Sequence, residues 1–544
     1  MIFSTQTVQL TATDSRGASD VLWTVTGNSG ATIDTNGNFT APTVTAVTTI
    51  TATATSQHDP TKTASAMITV LPSGQVSATS NLLVAQYTLS LPAGTNAFVQ
   101  FSPDTSYNLK TWTQAAPSSG TLTFLVAGMM ASTQYHMRAV IPGTSGAQAT
   151  DLDHTFTTQA VPTEQVPAVT ATTTGGMTPQ PGVELLNFLN GHAGTTPLAA
   201  FDLSGNMIWY IPALTGESVE GAHLLPNGHI LMGLSPDYVR EIDLVGNTIQ
   251  QESRADLQAA LHRQGFTYPV TSFHHDVIAL PNGHWIALFN TNEPCSAIPN
   301  CSGLPNIIGD VLVDLAPQGD GTFLPVWKWS TFDHLDINRA PFGYPDWTHS
   351  NAIVYSPDDG NLLLSIRHQS WIIKIDYENG SGSGAILWRL GDEGDFTLAN
   401  GSAPYDWFYA QHGPSFTTPN TTGQFGLAVF DNGNVRPVAP GSTCFNAGCT
   451  YSRGVTLQLD ETAKTATVVT DYRPNEYSIW GGNAEQLANG NLEADFNTGS
   501  PQGFSDIFEV TSGSSPQPVW KLETHELNAY RGFRLPSLYP GVQW

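Results

Sequence analysis

At 544 residues the chain is too long for one compact core, so several domains are expected. Its 45 acidic against 19 basic residues give a net charge of −26. That field repels nucleic acid and acidic membranes, so neither is expected as a partner, and any small anion must be gripped by a local cluster. The 50 Gly and 36 Pro, with abundant Thr, suit short strands joined by many turns and point to an all-β fold.

The N-terminus, MIFSTQTVQL, lacks the basic and apolar regions of an export signal, and the expectation is a start placed after a removed one. No apolar run approaches transmembrane length. Residues 1–72 alternate polar and apolar in VLWTVTG, TTITATATS and ASAMITV. With a buried Trp23 and the GATIDTNGNFTAP stretch, they resemble bacterial Ig-like β-sandwich modules. Residues 73–160 carry VAQYTLSLP, AFVQFSP, LTFLVAGM and QYHMRAVI, and resemble a fibronectin III-like β-sandwich. His58, His136 and His154 are isolated there and read as structural. The Pro/Thr/Gly-rich segment 161–180 reads as a linker or an extended crossing segment.

From 181 to 544 a phrase recurs: apolar strand, Pro/Asn/Asp-Gly turn, apolar strand. It appears as HLLPNGHILMG, VIALPNGHWIALFN, IVYSPDDGNLLLS, LAVFDNGN and EQLANGNLEADF. A companion phrase, apolar-Asp-x-x-Gly-x-apolar ending in Trp, accompanies it, as in AFDLSGNMIWYI. The turn glycines 228, 283, 360, 433 and 490 lie 55, 77, 73 and 57 residues apart. About four strands and one long loop per interval describe the blades of a β-propeller, and the length predicts six.

The four cysteines fall in two local pairs, Cys295 with Cys301 and Cys444 with Cys449, without further ligands at zinc-finger spacing. Two loop-stapling disulfides, and so an oxidising compartment, are expected. The richest polar stretch is DWTHSNAIVYSPDDGNLLLSIRHQSWIIKID (346–376). As a hairpin with Tyr355 facing Asn361, it places Arg367 opposite His349, with Asn351 on the same face and His368 turned away. Two other blades put histidine before an inner strand: His274 and His275 in SFHHDVIALPNG, and His412 in QHGPSF, whose partner strand returns Phe430 and Asp431. His223, His229, His284, His334 and His525 sit in turns or outer strands and read as structural. A metal is the rival reading of the histidines, but Arg367 opposes a cation, and no metal is expected. Guanidinium, amide and imidazoles instead make a donor-rich pocket for a tetrahedral oxyanion.

These inner-strand phrases, the H-S-N…S-I-R-H-Q-S-x-I-I-K-I-D motif above all, resemble those of the bacterial arylsulfate sulfotransferases over roughly 181–540. The resemblance implies a six-bladed propeller and a periplasmic or secreted, nucleotide-independent enzyme with no cofactor. It implies ping-pong transfer of a sulfuryl group from an aryl sulfate ester to a phenol through a sulfohistidine. Residue by residue, it makes His412 the sulfurylated histidine and has His349, Asn351 and Arg367 grip the sulfate oxygens. One of His274 and His275 becomes the remaining channel histidine. Trp347, Trp407, Phe408 and Tyr409 are expected to wall the phenolic ring. The two N-terminal modules depart from the single small domain through which the enterobacterial members dimerise, so a homodimer is possible but unsupported. Gly413-Pro414 stands where Asp-Ala is expected after the nucleophile. The alternatives are a propeller that binds a sulfated or acidic glycan without turnover, and a metal-dependent propeller lyase.

Overall fold

The structure is a computed structural model that describes residues 1–544 except 14–16, 18, 29, 144–147, 190–193, 299–300, 302, 421–422 and 498–502. It is all-β, with 49% strand and 6% helix, and divides into two units, 1–161 with Trp544 and 162–543. No helix among the described residues is long and apolar enough to cross a membrane. Both cysteine pairs are disulfides, Cys295–Cys301 and Cys444–Cys449.

In the first unit, Ile2–Phe3, Thr63–Leu71, Thr48–Ser56 and Val21–Thr26 form one sheet. Alternation in TTITATATS turns Ile50 and Ala52 inward against Phe39, Ile68 and Val70. Trp23, expected to be buried, is only half-buried, because Val21–Thr26 is the outer strand of that sheet. A second core collects Tyr87, Phe101, Phe124, Tyr135 and Met137 between two further sheets.

Among the described residues the second unit holds six larger sheets of four or five strands. Sheet 1 combines Val183–Leu189, Leu198–Phe201 and Met207–Tyr210 with the last strand of the chain, Asn528–Leu535. Sheets 2 to 6 begin in order with Ser218–Leu224, Ser272–Ala279, Ser350–Ser356, His412–Thr418 and Ala484–Gln486. Gly228, Gly283, Gly360 and Gly490 turn with positive φ between the first two strands of sheets 2, 3, 4 and 6. Gly433 is not their equivalent, since it follows the second strand of sheet 5, Gln424–Asp431. An Asp-Asn-Gly run favours a left-handed turn after any strand, so the phrase alone does not give its place. The expected linker also differs: Ala168–Thr173 within it pairs with Pro518–His525 as the outer strand of sheet 6. AVTATT is β-branched and alternating, which suits a sheet edge.

Buried polar groups tie each sheet to the next. Asn187 donates to the Val219 carbonyl (2.8 Å), His223 pairs with Asp276 (2.9 Å), and the Ile353 N–H donates to the other Asp276 oxygen (2.9 Å). Asn351 Nδ2 donates to the Gln411 carbonyl (2.8 Å) and Ser415 Oγ to the Ala484 carbonyl (2.9 Å). Asn483 and Gly532 then exchange two bonds, of 2.7 and 3.0 Å, joining sheet 6 back to sheet 1. The recurring Trp has a matching use farther out. Trp209, Trp329, Trp388 and Trp520 each donate an indole N–H to the following sheet, to Leu244, Gly384, Glu461 and Leu203 respectively.

The junction of sheets 6 and 1 is also the most charged. Arg534, 7% exposed, lies 2.7 Å from Glu184 and 3.0 Å from both Glu493 and Glu509. Replacing it with Met strands three buried carboxylates, which is expected to cost about 3–5 kcal/mol, read as a lower urea midpoint at pH 7. A loss under about 1 kcal/mol would mean that the carboxylates need no cation.

Candidate active site

The hairpin forms, but with its register shifted. Ser356, not Tyr355, faces Asn361, and a bulge between Ser350 and Ala352 absorbs the difference. Pairing is thereby restored at the far end, where the Arg367 N–H reaches the His349 carbonyl (3.3 Å). His349 has a φ of 48° and leaves the strand, so alternation no longer decides its direction. Arg367–Gln369 is a 3-10 turn, which brings His368 beside Arg367 and not onto the opposite face. Arg367 Nη1 donates to His368 Nε2 at 2.6 Å.

A second slip, between Phe273 and Val277, places His275 at φ 62°. His275 is the histidine of the pair that faces the others: its ring meets His349 edge-on at 4.8 Å and Tyr530 at 5.7 Å. His274 Nε2 lies instead 3.2 Å from Asp310, within its own sheet. Glu220 accepts the His275 backbone N–H (2.6 Å) and lies 3.2 Å from its Nδ1.

His412 opens sheet 5 and is 1% exposed. Its Nδ1 is 2.7 Å from Asn432 Oδ1, while Asn432 Nδ2 donates to the Ser478 and Gly481 carbonyls (3.1 and 3.0 Å). With the amide so oriented, Oδ1 can only accept, which puts the proton on His412 Nδ1 and the lone pair on Nε2. The Gly481 N–H approaches that lone pair at 3.3 Å. Gly413 has a φ of 42°, and a Cβ there would sit 2.4 Å from the Asn483 Cβ. Glycine after His412 thus lets sheet 6 come close. Asn351 is wholly buried, and one of its two amide hydrogens is committed to the Gln411 carbonyl, next to His412.

Burial lowers the pKa values of His275, His349 and His412 and holds His368 down at about 4. Glu220 and Asp346 act in the opposite direction on His275 and His349 and do not overcome it. The imidazoles are therefore neutral at pH 7. Arg367 is the cation among them. Its Nη2 donates to the Ile479 carbonyl (3.0 Å) and its Nε has no partner. Among the described residues no carboxylate forms an ion pair with it, whereas the buried Arg436, Arg453 and Arg534 are all paired. Burial accordingly lowers the Arg367 pKa.

Asp346, His349 and His368 offer ligand atoms within 4.8 Å of one another. However, His368 Nδ1 donates to the Asp346 carbonyl (2.7 Å) and Nε2 receives Arg367, so neither nitrogen is open and a guanidinium adjoins the trio. The donor set suits an anion beside a neutral imidazole.

A family model described as Arylsulfotransferase (ASST) matches residues 172–515, well over half of the chain. The chain belongs to the arylsulfotransferase family. It is an arylsulfotransferase enzyme, and every histidine of the cluster lies inside the matched span. No curated protein matches it. Among solved structures, a Bacteroides caccae protein of unknown function is 13% identical over 65% of this chain and 98% of its own, with a TM-score of 0.37. A hypothetical selenium-binding protein from Sulfolobus tokodaii is 12% identical over 63% and 74%, TM-score 0.33. An oligogalacturonate lyase in complex with manganese is 10% identical over 73% and 98%, TM-score 0.30. Likeness at this level fixes neither a site nor a substrate.

The expected ring walls of the arylsulfotransferase lie elsewhere. Trp347, Trp407, Phe408 and Tyr409 are at most 5% exposed. Trp347 stacks on Phe332, and the other three belong to the core of sheets 4 and 5. An aromatic run beside a turn reads alike whether it faces core or solvent. The rings that do reach the cluster are Phe342, stacked on His368 at 4.4 Å, and Tyr530 with Trp480 parallel to it at 6.3 Å. Phe445, 56% exposed in the Cys444–Cys449 loop, meets Phe342 edge-on at 5.9 Å. Phe430 does pair with His412, but Asp431 binds Arg436 and Arg453, and its neighbour Asn432 is the histidine's partner. The FDNG run read only as a turn, so Asn432 was hidden in it.

Two outcomes follow for pH. Asn432→Asp puts a carboxylate on His412 Nδ1 and favours the imidazolium, so the acid limb of kcat/KM is expected to move up by about one to three pH units. An unmoved limb would remove His412 from the titrating step. Separately, a histidine held neutral in the fold adds stability above its unfolded pKa of about 6.5, and this is lost as pH falls towards the folded value, about 4 for His368. The drop in melting temperature between pH 7 and pH 5 should therefore shrink in His368→Asn.

Proposed function

We propose that the protein transfers a sulfuryl group from an aryl sulfate ester to a phenolic acceptor, by a ping-pong route through His412, without nucleotide or metal. One observation carries this reading: a half-buried Arg367 with no carboxylate ion pair among the described residues, beside neutral imidazoles that include a His412 with its lone pair on Nε2. The sulfate monoanion supplies the charge that Arg367 lacks, and the guanidinium can span two of its oxygens. Nε2 attacks sulfur, the bond from sulfur to the phenolic oxygen breaks, and its electron pair leaves on that oxygen. The proton stays on His412 Nδ1, which keeps donating to Asn432 Oδ1 in the N-sulfo imidazolium. A phenol then attacks the same sulfur and gives its proton to solvent, the sulfur–Nε2 bond breaks, and its electron pair returns to Nε2 to restore the neutral histidine. Charge in the loose transition state sits on the sulfuryl oxygens, where fixed donors such as Arg367 act.

In this reading His349 and His275 line the anion site beside Arg367, His368 orients the guanidinium, and Asn351 acts through Gln411 on the placement of His412. The six sheets of residues 181–544 form a six-bladed propeller with the site at one mouth of its central channel. The ring of bonds between the first strands supports that architecture. Residues 1–72 and 73–160 would be Ig-like and fibronectin III-like sandwiches. Two disulfides support residence in the periplasm or outside the cell.

The assay is phenol release from an aryl sulfate, with and without a second phenol, in the presence of a chelator. Acceptor-dependent release that survives chelation is expected, falling about 1,000-fold or more in His412→Ala. Arg367→Lys should not restore what Arg367→Met loses, since a point charge cannot grip two oxygens. Binding without release would indicate a glycan-binding propeller, and loss on chelation a metal-dependent lyase.

A further inference from the structure

One polar group at the centre of the cluster has no part in these steps. Tyr530 belongs to the closing strand Asn528–Leu535, beyond the 172–515 span of the family match. Its side chain is 2% exposed, and among the described residues its hydroxyl hydrogen has no acceptor. The ring meets His275 edge-on at 5.7 Å and His412 at 6.1 Å. Arg531 lies close enough to bond the hydroxyl oxygen, but a guanidinium can only donate, so the hydroxyl's own hydrogen is left without an acceptor. A buried hydroxyl hydrogen with no acceptor costs about 1–3 kcal/mol, and phenylalanine would fill the same space without that cost. Such a group is explained by a ligand that completes it.

The hydroxyl is suited to donate and not to accept a proton. Burial, aided by the Glu220 and Asp276 carboxylates, outweighs Arg531 and pushes the phenol well above its ordinary pKa of 10. With the neighbouring imidazoles neutral, no imidazolium stands ready for the oxygen that leaves sulfur. That oxygen becomes a phenolate within the reach of His412.

We propose that Tyr530 is a further catalytic residue, whose O–H donates a hydrogen bond to the phenolic oxygen as its bond to sulfur breaks. The electron pair of that bond stays on the phenolic oxygen, Tyr530 keeps its proton throughout, and the phenolate takes its own proton from solvent. In the second half-reaction the same donor faces the oxygen of the incoming phenol. The inference rests on the sulfuryl-transfer reading and names the group that meets the aryl side of the substrate.

The test compares wild type with Tyr530→Phe, which keeps the ring contacts, on donors of graded leaving-group basicity. With 4-nitrophenyl sulfate, whose phenolate spreads its charge, kcat/KM should fall only a few-fold. With phenyl sulfate the fall should be about 100-fold, the usual loss for one donor to a developing oxyanion. The plot of log kcat/KM against leaving-group pKa should thus be steeper in the variant. Parallel plots, or no loss with phenyl sulfate, would overturn the role of Tyr530 while leaving sulfuryl transfer standing. A wild type inert towards every aryl sulfate would overturn both.

Discussion

The closed series of buried polar bonds between the first strands is the constraint on which the rest of the second unit depends. Each bond uses a group that would be costly to bury alone, so neighbouring sheets are held to one relative position. Two of these groups also adjoin the histidine cluster. Asn351 carries the link from sheet 4 to sheet 5 and positions the residue before His412. Asp276 serves both His223 and Ile353, directly after His275. The Asn483–Gly532 exchange, which brings the last strand home, also brings in Tyr530.

Electrostatics explains how a chain of net charge −26 can hold an anion. The overall field opposes binding, but it is screened over about 8–10 Å of salt solution, whereas a desolvated guanidinium acts at contact. Elsewhere in the second unit buried arginines are neutralised by acids, as Arg453 is by Asp431 and Asp471. Leaving Arg367 unpaired is a cost in stability that, in the proposed sulfuryl transfer, the bound anion would offset. Neutral imidazoles around it limit that cost, since charged ones would repel both Arg367 and each other.

The recurring phrases made the all-β character and the chemistry of the cluster readable, because turn glycines and a histidine before an inner strand leave local marks. The two bulges left none. Counting alternate residues still set Arg367 against His349, since the turn and the bulge near Asn351 err in opposite senses. The same counting failed for His368, which lies in a 3-10 turn where period two does not hold. The aromatic walls failed because burial depends on what covers a residue, and the cover comes from distant sequence.

The sequence by itself picked out most of the polar groups that the fold gathers into the cluster. Histidine, arginine and asparagine at strand starts carry their chemistry wherever they lie, and the run from His349 to Asp376 kept them close along the chain. Only the tertiary structure decided between His274 and His275, set the tautomer of His412 through Asn432, and delivered Tyr530 from the far end of the chain. Those outcomes turn on contacts between sheets separated by up to several hundred residues. Direction, protonation and exposure are properties of such contacts, and no local pattern encodes them.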